Sequence, residues 1–325
     1  IHTSGTFSHN NGTVTYTGTS SASFATIEVP NSGTFNNITI NLGSNGYQLK
    51  INSDDTVTVL GVLNMVVGKL STGTIDLNGT LSSSATFGGG DGKILINDGQ
   101  TVNISDGWML PSIDLQNGTL NAPSSGSMTF NNAESFIIGN NGTFNYNNGT
   151  ITLIDSGDGP TIFTIDFPSS LEINNLVVNL ANDAYNLAVA TGDTLEVNGT
   201  LTLTEGSFRS GTIDLNGTLS GSATFGGGDG DILIDDGQTV NITDGWVLPG
   251  IDLQNGTLNA PTNDGTMIFA NAADFTIGDN GTFNHNNGTV AFYWKNASST
   301  TAIIDVQTTE NFYNLSVDLP NNAYT

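Results

Sequence analysis

Residues 74–123 recur at 212–261 with 44 of 50 positions identical, at an offset of 138 residues. A long internal repeat means the chain is assembled from copies of one module, and lengthens by adding copies. The recurrence extends beyond the block. Phe7–Val14 returns as Phe144–Ile151 and as Phe283–Val290, at offsets of 137 and then 139. Phe35–Tyr47 returns as Ile173–Tyr185 and again in a stretch ending at Tyr324. The phase divides the chain into a partial repeat at 1–73, a full repeat at 74–211 and a further partial repeat at 212–325. The chain starts without Met and in mid-pattern, so it reads as a window on a longer protein.

A finer beat runs inside each period. Short runs such as Thr74-Ile75-Asp76-Leu77 alternate apolar and polar residues and are separated by Asn-Gly or lone Gly turns. Period-two alternation is strand patterning, and Asn and Gly tolerate the positive φ that a tight turn needs. Asn, Ser, Thr and Gly carry the polar load, which disfavours helix. Two all-β architectures fit these runs: tandem β-sandwiches joined by hairpins, and a parallel β-solenoid in which each strand stacks on its equivalent one coil on. The solenoid is the expected fold. Charged residues are only 11% of the chain, as expected where outward side chains stack at strand spacing and like charges repel. Stacked amides and hydroxyls instead hydrogen-bond along a ladder. The motifs starting at Thr74 and Ser112 lie 38 residues apart, which fits two coils of 19 or one long excursion. Coils of about 19–27 residues put roughly five to seven in one period, and a continuous stack would be a rod of about 60–80 Å.

Composition excludes several partners. The chain has 30 acidic against 5 basic residues, a net charge of −25. That opposes nucleic acid, whose phosphates need clustered Lys and Arg, and opposes anionic membrane surfaces. No apolar run is long enough to span a bilayer. There is no Cys, so disulfides are excluded.

Runs such as GTFSHNNGTVTYTG (5–18), YNLSVDL (313–319) and DTLEVNGTLTLTEGSFRSGTIDLNGTL (193–219) resemble the repetitive β-helical regions of large bacterial and archaeal cell-surface proteins, including adhesins, autotransporter passengers and extracellular fibre or sheath proteins. The resemblance covers nearly the whole chain in style but rests on no single diagnostic motif. It implies an extracellular, adhesive or structural role, self-association or neighbouring copies as partners, and surface carbohydrate as a further partner.

Each candidate site has a plainer reading beside it. Phe225–Asp236 is similar to a calcium-binding Gly-Asp repeat, with Asp229, Asp231 and Asp235 as ligand candidates; its spacing is one residue off, and the other copy has Lys93 and Asn97 in place of Asp231 and Asp235. The plain alternative is a tight Gly corner, and no cofactor is expected. Trp108 and Trp246 follow Asp-Gly and serve either as sugar platforms or as packing under a loop. Phe292-Tyr293-Trp294-Lys295 stands where the preceding copy has Leu153-Ile154-Asp155-Ser156, and an aromatic cluster gained in one copy marks a contact surface or a repacked edge. The pairs Asp76/Asp214 and Asp114/Asp252 recur with the module, which favours a structural role over paired-acid glycoside chemistry. Lys50, Lys69, Lys93, Arg209 and Lys295 do not cluster in sequence. His9 and His285 match Tyr146, and with His2 they offer no required base or metal ligand. Asn-x-Thr/Ser sequons recur, among them Asn78, Asn117, Asn216 and Asn255, and double as turn residues. The expectation is a non-enzymatic, extracellular structural or adhesive solenoid. A carbohydrate-binding or carbohydrate-active β-helix and a sandwich-repeat adhesin are the alternatives.

Overall fold

The computed structural model describes residues 7–18, 24–29, 32–271, 273–294, 301–307 and 309–318. The chain forms two compact units, 1–168 and 169–325. Among the described residues all regular structure is strand, with no helix.

In the first unit the chain visits three ladders in turn. Thr13–Thr17, Asn37–Asn41, Val62–Val67 and Thr80–Ser83 stack parallel on one face. Phe24–Ile27, Gln48–Ile51 and Lys69–Thr72 stack on the next. Ser32–Phe35, Thr56–Val59, Thr74–Leu77, Lys93–Ile96 and the first half of Ser112–Asn121 stack on the third. This is the expected β-solenoid with a three-sided coil. The second unit repeats the pattern, with Ser170–Ile173, Thr194–Val197, Thr212–Leu215, Asp231–Ile234 and Gly250–Asn259 in parallel register. All pairings between described strands are parallel, which rules out hairpin-built sandwiches: the Asn-Gly pairs turn corners between faces.

Register confirms the coil length read from the motif spacing. Thr74 pairs with Lys93 and Lys93 with Ser112, so the 38-residue interval is two coils of 19. Other coils are longer, as where Ser135 pairs with Thr164. The long strands Ser112–Asn121 and Gly250–Asn259 each serve two faces. Their first halves pair with Lys93–Ile96 and Asp231–Ile234, their second halves with Gln100–Asn103 and Thr239–Asn241, and the register slips between the halves.

The core is a set of columns. Val57, Ile75, Ile94, Ile113 and Phe136 occupy one inward position on successive coils and are all fully buried. Leu195, Ile213, Ile232, Ile251 and Phe275 repeat the column in the second unit. Each such side chain contributes about 1.5–3 kcal/mol of apolar burial. Outward positions carry the polar ladders. Asn121 donates to Asn103 at 2.7 Å and Asn145 to Asn121 at 2.6 Å; Asn259 to Asn241 and Asn284 to Asn259 follow at 2.8 Å each.

The Gly-rich segments are crossings, not strands. Gly90 N–H donates to Asn131 O at 2.8 Å and Gly228 N–H to Ala270 O at 3.0 Å. A Cβ on Gly228, whose φ is +120°, would lie 2.2 Å from the Phe208 carbonyl oxygen. Only Gly fits there.

Candidate functional site

With the core columns fixed, function must reside in outward side chains and in the corners. The structure divides the calcium candidates between two places. Asp229 and Asp231 lie with Asp252 and Asp274, and partial burial followed by Asp274, Asp252 and Asp229 pushes Asp231 up to about 6. Asp235 lies instead with Asp214 and Asp236, and Asp252 acts on both groups. Burial first, then Asp235, Asp236 and Glu196, pushes Asp214 to about 6. One Asp235 carboxylate oxygen is buried without a hydrogen-bond partner, as is the amide oxygen of Asn97 at the equivalent place. Among the described residues no group of three or more His, Asp or Glu is arranged to hold a metal ion. Sequence reasoning missed Asp274, because it belongs to a later coil and meets Asp231 only through stacking.

The first unit treats the same corner differently. Lys93, the counterpart of Asp231, pairs with Asp114 at 3.2 Å. Two of the basic residues, Lys50 and Lys69, on successive coils, line one cavity of about 230 Å³ with Asp91 and Asp158, and Lys69 reaches Asp158 at 3.5 Å. Partial burial, then Glu134 and Asp155, raises Asp91 to about 6 against the pull of Lys69.

The remaining candidates fall into place around the fold. Asp76 and Asp214 are outward on matching strands, Thr74–Leu77 and Thr212–Leu215. Trp108 and Trp246 are half-buried, and Trp246 packs its ring against Gly221. His9 and His285 each accept a hydrogen bond through Nδ1 from the backbone N–H two residues on, at 3.1 Å, a recurring turn bond. Asn117 and Asn255 are exposed at the bend of the two-face strands, whereas Asn78 and Asn216 are half-buried beside Gln100 and Gln238. His2, Lys295 and Asn296 lie outside the described residues.

The aromatic cluster gained in the last copy resolves into two roles. Phe292 and Trp294 are buried, each 4% exposed, and Phe292 stacks on Phe269 at 5.2 Å. Tyr293 points outward, 42% exposed, into a groove of about 720 Å³ on the second unit. Ile268, Ala291 and Ser316 stack in register along the floor, beside a second column of Ala270, Tyr293 and Asp318. Asn182, Asp183, Glu205 and the Phe225-Gly226 crossing form a wall, which Asn271 ties down by donating from Nδ2 to Gly226 O at 2.8 Å. The groove draws on residues from 182 to 318, so its only sequence signal was the substituted aromatic run.

No family model, curated protein or solved structure matches this chain.

Proposed function

We propose that the chain is a structural or adhesive β-solenoid segment of an extracellular cell-surface protein, a stalk, fibre or sheath component with no catalytic role, whose neighbours in an assembly are further copies of itself. The observation that carries this reading is that polar side chains are spent on the module, and spent identically in each unit. Gln100 Nε2 donates to Leu77 O, and Gln238 Nε2 to Leu215 O. Ser84 Oγ donates to Val66 O, and Ser222 Oγ to Thr204 O. The Asn ladders recur in the same way. A catalytic site is built once, whereas a scaffold is built many times. The groups that differ between units, Lys93 against Asp231 and Asn97 against Asp235, are the ones a metal or acid–base site would have to keep.

The test is made on cells that produce the protein. Brief protease treatment of intact cells is expected to strip its epitope, and negative-stain electron microscopy of the native material to reveal fibres, sheets or projecting stalks. An epitope protected until lysis, on material that is compact and soluble, would overturn the reading. Repeating the microscopy with a chelator asks whether the assembly depends on divalent cations.

A further inference from the structure

We propose that the groove on the second unit is a binding site for an uncharged, hydroxyl-rich glycan chain, lying across successive strands with Tyr293 against a sugar face. The proposal goes beyond the scaffold role, since it assigns a ligand to one unit of a repeated fold.

The groove lining departs from the first unit at several outward positions: Met109, Asn131 and Thr152 give way to the smaller Val247, Ala270 and Ala291, Thr129 to the larger Ile268, and Ile154 to Tyr293, over the same buried core. Within each unit the core beneath is the same: Met128 and Phe130 are buried as Met267 and Phe269 are. Removing the Asn amide and the Thr branch opens a trough, and the Tyr ring stands beside it. A half-exposed Tyr gives a flat apolar face with a polar tip, and it costs little conformational entropy to fix.

Chemistry selects the ligand class. The described lining carries the carboxylates of Asp183, Glu205 and Asp318, the amides of Asn182 and Asn271, of which Asn182 Oδ1 already accepts from Ala184 N–H and Asn271 Nδ2 already donates to Gly226 O, and no Lys, Arg or His. Carboxylates and amides accept from and donate to hydroxyl groups. The same carboxylates repel uronates, sulfates and phosphates. The volume of about 720 Å³ lies in the size range of small-molecule sites.

Backbone pairing argues against a peptide strand added over the two central strands of the floor, and oligolysine binding in the test below covers a peptide occupant. Thr266–Ala270 is paired on both sides, by Val247–Leu248 and Thr289–Tyr293, and Thr289–Tyr293 is paired again by Asn314–Asp318. Those two central strands are therefore closed to β-augmentation, while Asn314–Asp318, which contributes Ser316 and Asp318, is the end strand of the ladder among the described residues.

The experiment uses the purified full chain and calorimetric titration with a panel of neutral oligosaccharides (cellohexaose, maltohexaose and chitohexaose among them), with an oligogalacturonate, and with oligolysine. At least one neutral glycan is expected to bind and the oligogalacturonate to fail. Tyr293→Ala should weaken binding about tenfold or more, Tyr293→Phe should retain most of it, and Ala291→Trp, which fills the trough from outside, should abolish it. Ile154→Ala, at the matching position of the first unit, should leave binding unchanged. Far-UV circular dichroism and melting temperature check that the variants stay folded. The proposal is overturned if no neutral glycan binds the wild-type chain, if Tyr293→Ala and Tyr293→Phe both bind as wild type, or if oligolysine alone binds and does so through Tyr293. These outcomes are independent of where the protein resides, so the groove and the scaffold role fail separately.

Discussion

Asp231 shows how one outward residue sets the electrostatics of a corner. Its counterpart Lys93 pairs with Asp114, whereas Asp231 faces Asp252, Asp274 and Asp229. The change is coupled to a second one: a Cβ on Gly250 would sit 2.1 Å from Asp231 Oδ1, where the first unit has Ser112 opposite Lys93. Asp231→Lys, with Gly250→Ser, is therefore expected to rebuild the ion pair and to stabilise the chain by about 1 kcal/mol, read as a rise of a few degrees in the melting temperature. An unchanged or lower value would mean that the four carboxylates do not repel as their spacing implies. Glycine makes the opposite point at the crossings and turns. Gly228 and Gly237 both have positive φ, but only Gly228 has a carbonyl where its Cβ would go; around Gly237 there is open space within 4 Å. Gly237→Ala should cost only the left-handed backbone strain, about 1–2 kcal/mol. Gly228→Ala should cost clearly more, or prevent folding, since a clash adds to that strain. Equal denaturant midpoints for the two variants would refute this account of the crossing.

At the scale of the strand, the sequence made the rungs legible and left the corners illegible. Alternation in Thr74–Leu77 and Lys93–Ile96 exposed both the strands and their inward columns, because one face is buried along the whole stack. The spacing of two similar motifs admitted either two 19-residue coils or one long excursion, and the register decides for the coils. What could not be read was contact between coils. Asp274 joins Asp231 across two coils of unequal length, which linear spacing does not encode. The groove escaped for the same reason, though its aromatic run was visible as a departure from the repeat. The ladders can be tested directly. Asn121 is the middle amide of three, donating to Asn103 and accepting from Asn145. Asn121→Ala removes both bonds at an accessible site and should cost about 1–2 kcal/mol. Ile213→Ala, in a fully buried column, should cost about 2–5 kcal/mol. If urea titrations rank these two in reverse order, the stability of the solenoid lies in its outer ladders and not in its core.

For the whole molecule the decisive quantity is a net charge of −25 carried by stacked coils. Every carboxylate with a resolved shift among the described residues is shifted upward, with burial as the first cause, and Asp91, Asp214 and Asp231 reach about 6. A carboxyl whose folded pKa exceeds its unfolded value of 3.8 holds its proton more tightly when folded. Its contribution is fully present below the unfolded value and is lost as pH rises through about 6, so above that the ionised groups oppose folding. The chain should therefore melt higher at pH 5 than at pH 7.5, by an amount on the order of a few degrees once solvent screening is allowed for. Salt should act in the same direction at pH 7.5, because repulsion between partly exposed charges is screened over about 10 Å at 0.1 M. The two effects share the repulsive part of the shifts, which comes after burial among their causes, so they are less than additive: raising sodium chloride should lift the melting temperature at pH 7.5 and do less at pH 5. Differential scanning calorimetry across those four conditions decides the matter. A chain that melts lower at pH 5 would owe its stability to carboxylates that need their charge, which would contradict the upward shifts at Asp91, Asp214 and Asp231.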